Sequence, residues 1–222
     1  MVDDPTHHYQ QDIVAASYDE LRFSSLAGKA FDLLEKRYVR SAFRGLDSGS
    51  TIVDVPCGTG RLAEALLGDG FRVVGLDISA AMLAQAQRKL ARFGEWFTWR
   101  TANMMKHESL PQERYDAALC ARVLMHFPLD QQVAFLRNVA AITNGRIVFT
   151  HSWVSGYQKL RRSLKRLLRH QTSVQYPVSK DDLARLLDGA GLRELDRLRP
   201  CSPLTEEIIV IAERRASASS LL

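Results

Sequence analysis

A glycine turn and a carboxylate stand at the ends of two consecutive β-branched runs of the sequence. The first run leads into the turn PCGTG at residues 56–60, and the second run ends at Asp77. Gly58 and Gly60 carry no side chain, so a ligand can approach the backbone of this turn. A helix that begins directly after the turn presents free N–H groups and a positive dipole end. Because the Asp77 carboxylate can accept hydrogen bonds from both hydroxyls of a ribose, the pattern indicates a nucleoside-containing ligand.

The acid within the first run, Asp54, decides between two such ligands. The segment GTGRLA at residues 58–63 also fits the glycine pattern of dinucleotide-binding proteins, with Ala in the last place. A dinucleotide-binding strand is usually apolar up to its loop, whereas here a carboxylate lies inside the strand. It can meet a cationic amino group there, directly or through water. S-adenosyl-L-methionine carries such an ammonium group and a dinucleotide does not, so the residues favour S-adenosyl-L-methionine.

The elements that hold these residues alternate between strand and helix. The hydrophobic periodicity predicts a helical region over residues 1–50. In the remainder of the chain it predicts helices over 61–67, from Ser79, over 131–142 and over 179–187. Predicted strands cover 51–55, 72–77, 96–101, 115–121, 146–150, 192–197 and 207–212. The last two strands are joined by about ten residues, too few for a helical crossover, and are therefore expected to be antiparallel. The predicted fold is α/β, a doubly wound, seven-stranded, mostly parallel Rossmann-like sheet with an antiparallel last strand.

The composition suits one soluble domain. The chain has 222 residues, 46% of them hydrophobic, and a formal net charge of +5. Its three cysteines exclude a disulfide framework and favour a reducing, cytoplasmic location. No metal-ligand spacing joins them to the histidines, so no metal is expected. The N-terminus does not read as a signal peptide, and no apolar run approaches the roughly 18 residues of a membrane span.

Four segments in order resemble the motifs of the class I S-adenosylmethionine-dependent methyltransferases. The segment VDVPCGTG (53–60) resembles the first motif, and VGLDIS (74–79) with Met82 resembles the second. The segment TANM (101–104) is similar to the part that holds the adenine, and YDAALCARVLMHF (115–127) is similar to the fourth motif. The resemblance spans about residues 50–213. Its nearest subgroup contains small-molecule and quinone-type enzymes, such as those with methyltransferase domains 11 and 25.

The resemblance implies a role for each matched residue. The turn, which includes Thr59, would hold the methionine part of the cofactor through Asp54, Pro56, Cys57, Gly58 and Gly60. Asp77 would bind the ribose, and the adenine would be held by Ile78, Met82, Asn103 and Met104. Ala121 and Arg122 would lie beside the sulfonium. Two positions depart from the family: Pro56 stands where glycine is frequent and has no N–H to donate, and Asn103 stands where aspartate is common.

The N-terminal part resembles the lid helices of the same subgroup. Tyr18 and Arg22 are the candidate cofactor-binding residues there, and Arg22 would pair with the cofactor carboxylate. The expected organisation is a helical lid at residues 1–50 and a cofactor-binding methyltransferase domain at 51–213. Lid and domain form one compact unit, and a disordered tail follows at 214–222.

Methyl transfer requires alignment more than acid–base chemistry, and a base is needed only when the acceptor must lose a proton. His126 and His151 follow the fourth and fifth predicted strands, near the expected acceptor position. They are the candidate catalytic residues. A hydrogen-bonded structural histidine is the alternative interpretation for each.

The basic segment at residues 156–170 is compatible with several binding partners. Its leucines form one apolar stripe, and six Lys and Arg lie between residues 159 and 170. A helix packed on its own domain with a solvated basic face is one interpretation, and peripheral contact with a membrane or an anionic lipid is another. Nucleic acid is not favoured, because no aromatic residues interleave the basic ones. The predicted function is methyl transfer to a small-molecule or lipid-like acceptor. RNA methylation and non-catalytic cofactor binding are the alternatives.

Overall fold

The computed structural model describes residues 25–154, 175–200 and 205–215. Its helices are α1 (Leu26–Ala42), α2 (Arg61–Gly68), α3 (Ala80–Leu90), α4 (Leu129–Ala141) and α5 (Lys180–Gly189). Its strands are β1 (Thr51–Asp54), β2 (Arg72–Asp77), β3 (Phe97–Thr101), β4 (Ala117–Cys120), β5 (Ile147–Ser152), β6 (Leu192–Leu198) and β7 (Glu207–Arg214). The predictions for Tyr18, Arg22, the basic segment 156–170 and the tail from 216 fall outside the described residues.

The seven strands form one sheet in the order β3-β2-β1-β4-β5-β7-β6. Strands β1 to β5 are parallel, and β7 lies antiparallel between β5 and β6. This confirms the predicted α/β class and its antiparallel end. The chain builds outward from β1 to β3 and then returns to the other side of β1 with β4. Such a reversal leaves a crevice beyond the carboxyl ends of β1 and β4, where open α/β sheets bind ligands.

The core lies on both faces of the sheet. One buried layer contains Val53, Leu76 and Phe149, and the other contains Ile52 and Leu66. All six residues of β5 are buried, as expected for a strand covered by helices on both faces. Among the described helices, none has an apolar stretch long enough to cross a membrane.

Local capping places the helices close to their predicted starts. The Ser79 hydroxyl accepts a hydrogen bond from the N–H of Met82 at the start of α3. Ser179 and Asp182 form a reciprocal capping box at the start of α5. Helix α4 begins two residues earlier than predicted, directly after Pro128 at its N-cap.

The bounds of β4 and β5 differ clearly from the predictions, because pairing partners decide where a strand ends. The sequence predicts the fourth strand over residues 115–121, but β4 is shorter and Tyr115 forms only an isolated bridge to Thr143. The predicted fifth strand ends at Thr150. The observed strand continues to Ser152 because the antiparallel partner β7 pairs with its last two residues.

Candidate active site

A cleft that is open to solvent lies at the carboxyl ends of β1, β2 and β4. It is the crevice at which the strand order reverses. Most of the residues predicted from sequence line it: Asp54, Pro56, Cys57, Gly58, Thr59, Asp77, Ile78, Met82, Asn103, Met104, Ala121, Arg122 and His126. Strand ends and the loops that follow them therefore bring together residues from four separate segments.

Asp77 joins two of the loops that line the cleft. Its Oδ2 accepts a hydrogen bond of 2.8 Å from the N–H of Gly58, and its Oδ1 accepts one of 2.9 Å from the N–H of Ser79. Burial raises the pKa of Asp77, and the backbone N–H groups of Ser79, Gly58 and Ile78 oppose that rise. A carboxylate oxygen has two lone pairs, so each oxygen can accept a further hydrogen bond from a ribose hydroxyl.

Asp54 is buried in the wall of the cleft with an unsatisfied oxygen. Its exposed fraction is 1%, and its Oδ2 has no hydrogen-bond partner among the described residues. Burial raises the pKa of Asp54 to about 8, against a lowering by Arg61 and together with a smaller rise from Asp77. A buried polar atom without a partner is costly. The orphaned oxygen therefore fits an ammonium group, which would ionise the carboxyl group and pair with it.

The two turn glycines serve different purposes. Both have positive φ angles, +53° at Gly58 and +76° at Gly60. A Cβ at Gly58 would have no protein atom within 4 Å, and this residue lines the cleft. A Cβ at Gly60 would lie 2.7 Å from Cδ1 of Leu90 and 3.2 Å from Cβ of Ala86. Gly60 does not line the cleft. The structure therefore gives Gly60 a role in packing α3 against the turn, while its contact with the ligand stays a prediction.

The residues predicted to hold the adenine all line the cleft: Ile78, Met82, Asn103 and Met104. The Oδ1 atom of Asn103 accepts a hydrogen bond of 2.9 Å from the N–H of Met105, so the side chain also holds its own turn. Met82 and Met104 are buried. Cys57 is buried too, and burial raises the pKa of its thiol well above the usual range, so it is not a thiolate nucleophile.

Sequence analysis missed a cluster of charges that joins α1 to the cleft. Arg61 lines the cleft, contacts Asp32 and donates a 2.5 Å hydrogen bond to Oε2 of Glu35. The Glu35 side chain is completely buried and also lies 3.4 Å from Nη1 of Arg122. The amphipathic pattern of the segment that forms α1 predicts a helix. The only sign of the charge cluster in the sequence is that the carboxylate of Glu35 falls on the buried face of this helix.

Part of the cleft lining is apolar. It includes Met105, Val123, Phe127 and Phe135, and His126 lines the cleft at the end of a short 3₁₀ turn over Leu124–His126. The four apolar residues were not predicted from sequence as site residues. Phe135 lies on α4 and the other three lie on loops. Their spacing along the chain therefore forms no sequence motif that would identify them.

His151 does not line the cleft, which corrects its prediction as a catalytic residue. It is fully buried, with Nε2 3.0 Å from Oε1 of Gln132 and Nδ1 3.2 Å from the carbonyl oxygen of Ser152. Burial lowers the pKa of His151 to about 4, with a smaller opposing effect from Ser152. A neutral histidine enclosed by protein on both ring nitrogens has no access to an acceptor, so its role is structural.

The cleft lies at the crevice where open α/β sheets bind ligands, and the carboxyl groups of Asp54 and Asp77 line it. Residues 52–145 match the model of a family described as "Methyltransferase domain". This segment of the chain is similar to methyltransferase domains, and it contains both Asp54 and Asp77 of the cleft.

Curated relatives share part of the chain. The magnesium protoporphyrin IX methyltransferase of Arabidopsis thaliana is 27% identical over 150 residues, covering 65% of this chain and 46% of that protein. The ubiquinone biosynthesis O-methyltransferase of Sodalis glossinidius is 30% identical over 125 residues, covering 56% of this chain and 50% of that protein. The chain spans about half the length of these relatives.

Solved structures have the same fold. The magnesium protoporphyrin IX methyltransferase from Synechocystis PCC 6803 with bound SAH superposes with a TM-score of 0.71 at 20% identity, covering 91% of this chain and 99% of that chain. The pyocyanin biosynthetic protein PhzM also gives a TM-score of 0.71, at 21% identity, covering 96% of this chain and 63% of that chain. Likeness at this level of identity establishes the architecture.

Proposed function

We propose that this protein transfers the methyl group of S-adenosyl-L-methionine to an oxygen atom of a small, flat, largely apolar acceptor. The relatives named above are methyltransferases of magnesium protoporphyrin and of ubiquinone biosynthesis, the latter an O-methyltransferase. The apolar residues of the cleft lining, among them Phe127, Phe135 and Met105, suit a flat ring system. Neither RNA methylation nor non-catalytic cofactor binding is favoured by these relatives.

The observation that carries the proposal is the buried, unpartnered Oδ2 of Asp54. A protein that bound a dinucleotide at this turn would gain nothing from a carboxylate inside the strand. A ligand ammonium group satisfies the oxygen and compensates for its burial. Asp77 lies at the end of the neighbouring strand, where its oxygens can accept from ribose hydroxyls.

Binding and orientation are the work of this chain's own residues. When bound, S-adenosylmethionine supplies a methyl group activated on a cationic sulfur. Asp54 and Asp77 fix the two polar ends of the nucleoside amino acid, while Ile78 and Met82 cover the adenine. Val123 and Phe127 line the cleft, and their apolar side chains would exclude water from a bound acceptor. Alignment of this kind accounts for most of the rate enhancement expected in a displacement reaction.

His126 is the proposed proton acceptor for an acceptor that binds with its hydroxyl protonated. It lines the cleft beside the apolar residues, at the end of the Leu124–His126 turn. An imidazole is suited to this role near neutral pH. An acceptor that binds already ionised does not need it.

Calorimetric titration tests the cofactor assignment. The protein should bind S-adenosylmethionine and S-adenosylhomocysteine with affinities on the order of micromolar, about −8 kcal/mol, and should not bind NAD. Transfer of labelled methyl groups to a panel of hydroxylated aromatic acids then tests the reaction. Tight NAD binding without a signal from S-adenosylmethionine contradicts the proposal.

A further inference from the structure

Two carboxylates of α1 bind Arg61, the first residue of α2. The Arg61 Nη1 atom contacts the carboxylate of Asp32, and its Nη2 atom donates a 2.5 Å hydrogen bond to Oε2 of Glu35. The Glu35 side chain is completely buried, and only 11% of the Arg61 side chain is exposed. Removing one partner of a buried ion pair is costly, because it leaves the other charge uncompensated. Both terminal nitrogens of Arg61 are therefore directed firmly towards α1.

Arg61 also lies in the same cleft as the unsatisfied carboxyl group of Asp54. Asp54 ends β1 and Arg61 begins α2, so the two residues flank one turn, and both line the cleft. Burial raises the pKa of Asp54 to about 8, and the positive charge of Arg61 opposes that rise. The Asp54 Oδ2 atom nevertheless has no hydrogen-bond partner within the described ranges. Because a guanidinium and a carboxylate form strong charge-assisted hydrogen bonds, the absence of this pairing needs a cause.

We propose that Glu35 and Asp32 are positioning residues that hold Arg61 away from Asp54 and so keep the ammonium site free for the cofactor. The inference rests on the proposed function and adds to it two residues that do not line the cleft. Without these carboxylates, the guanidinium would take the place of the ligand ammonium group at Asp54. Only the fraction of molecules in which Arg61 is turned away could then bind the cofactor, and the apparent affinity would fall by that fraction.

Two probes that differ in the ammonium group test this role with the variant Glu35→Gln, which keeps the size of the side chain and removes its charge. S-adenosylhomocysteine carries the ammonium group, whereas 5′-methylthioadenosine has the same adenosine and thioether without the amino acid part. At pH 8, calorimetry should show S-adenosylhomocysteine binding weakened by about tenfold, which corresponds to roughly nine molecules in ten with Arg61 turned to Asp54. The affinity for 5′-methylthioadenosine should change by less than about twofold, because this probe does not need Asp54.

Removing the guanidinium as well should rescue binding. The double variant Glu35→Gln/Arg61→Gln lacks the group that would pair with Asp54, so its affinity for S-adenosylhomocysteine should return to within about threefold of the wild type. A loss caused by damaged packing would persist or grow in the double variant. Glu64→Gln is the matched control, because it breaks a 2.7 Å ion pair with Arg92 on the same helix and does not line the cleft. It should bind both probes as the wild type does.

The pH dependence of binding gives a second readout, because it reports the charge of Asp54. Groups from α2, β2, β4 and the turn after β1 interact electrostatically with this carboxyl group: Arg61, Asp77, Cys120 and Cys57. Burial raises the pKa of both thiols, so neither titrates between pH 6 and 8. The wild-type affinity for S-adenosylhomocysteine should rise over this range as Asp54 loses its proton. In Glu35→Gln the paired guanidinium keeps Asp54 ionised, so the affinity should change by less than about threefold.

The remaining outcomes each contradict one of the two proposals. If Glu35→Gln weakens both probes equally, or if its loss persists in the double variant, Glu35 acts through packing or through Arg122 and the inference is wrong. Wild-type affinity in Glu35→Gln would mean that Arg61 does not reach Asp54, which also overturns it. If Glu35→Gln does not fold, Asp32→Asn applies the same test and the same rescue, because Asp32 binds the other terminal nitrogen of Arg61. Failure of the wild type to bind S-adenosylhomocysteine contradicts instead the proposed function.

Discussion

The imidazole of His151 and the side-chain amide of Gln132 form a buried pair. His151 Nε2 lies 3.0 Å from Gln132 Oε1, and both residues are almost completely buried. Gln132 in turn donates from Nε2 to the carbonyl oxygen of Phe127, at 2.8 Å. The pair thus connects the end of β5 through α4 to the turn that carries His126 and Phe127 in the cleft wall.

This burial predicts a defined pH dependence of stability. The folded-state pKa of His151 is about 4, below the ordinary value of 6.5, so the folded protein favours the neutral ring. That contribution is fully present above pH 6.5 and is lost as the pH falls towards 4. The free energy of unfolding of the wild type, measured by urea denaturation, should therefore fall over this range by an amount on the order of 1–3 kcal/mol.

The variant His151→Asn isolates this effect. It should be less stable than the wild type at pH 7, by about 1–3 kcal/mol for the lost buried hydrogen bond, and its stability should fall less between pH 6.5 and 4. The control is His107→Asn at an exposed position, which should keep the wild-type slope. Equal slopes for His151→Asn and the wild type would mean that His151 is not held neutral by burial.

We predict that Asp54 lowers the free energy of unfolding of the free protein and strengthens cofactor binding. Its folded-state pKa of about 8 lies above the ordinary value of 3.8, so the contribution of the protonated form is present below pH 4 and is lost as the pH rises to 8. The variant Asp54→Asn keeps the shape without the titration. At pH 8 it should unfold with a free energy at least about 1 kcal/mol above that of the wild type, measured by urea denaturation.

The same variant should bind the cofactor poorly. Loss of the charged partner of the ammonium group should weaken S-adenosylhomocysteine by about tenfold or more at pH 8. In the wild type the affinity should rise between pH 6 and 8, because binding at lower pH must first deprotonate Asp54. An affinity for S-adenosylhomocysteine that is equal in both proteins at pH 8 would remove Asp54 from the binding site.

Gly58 and Gly60 provide a matched pair of substitutions. Both have positive φ angles, so alanine adds a backbone cost of about 1–2 kcal/mol at either position. Gly60→Ala should lose a further 1–3 kcal/mol, roughly, because its Cβ would meet the buried Leu90 side chain. Gly58→Ala should lose only the backbone cost yet bind S-adenosylhomocysteine at least about tenfold more weakly. Equal losses of stability in the two variants would show that the Leu90 side chain moves away from the new Cβ atom without an energetic cost.

Asp77→Ala should affect both binding and stability. The substitution removes the proposed ribose acceptor and also the two hydrogen bonds to the N–H groups of Gly58 and Ser79. We expect S-adenosylhomocysteine affinity to fall at least about tenfold and the unfolding free energy to fall by about 1–3 kcal/mol. The matched comparison is Asp116→Ala, because the Asp116 Oδ2 accepts from the N–H of Thr51 away from the cleft. That variant should lose stability alone, and equal cofactor affinity in the Asp77 variant would contradict the ribose assignment.

The features that sequence could predict are those that depend on local physics. The β-branched runs, the glycine turn and the serine caps each act through neighbours within a few residues. For this reason the order of residue types alone places Asp54 inside the first strand, Asp77 at the end of the second and Gly58 in the turn after the first strand. The short link between the last two strands likewise required them to be antiparallel.

The tertiary structure alone decided what depends on distant partners. Gly60 fits a ligand-binding turn by its sequence, because nothing near it along the chain reveals its contact with Leu90. His151 follows a strand as an active-site residue would, but Gln132 on another element encloses it. Glu35 meets Arg122 across 87 positions of the chain, and the insertion of β7 between β5 and β6 has no local signal. These pairs form when helices cover the two faces of the sheet. A polar group that becomes buried there needs a partner, because an unpaired buried polar group is costly. Which groups become buried together depends on the folded chain and not on neighbours in the sequence.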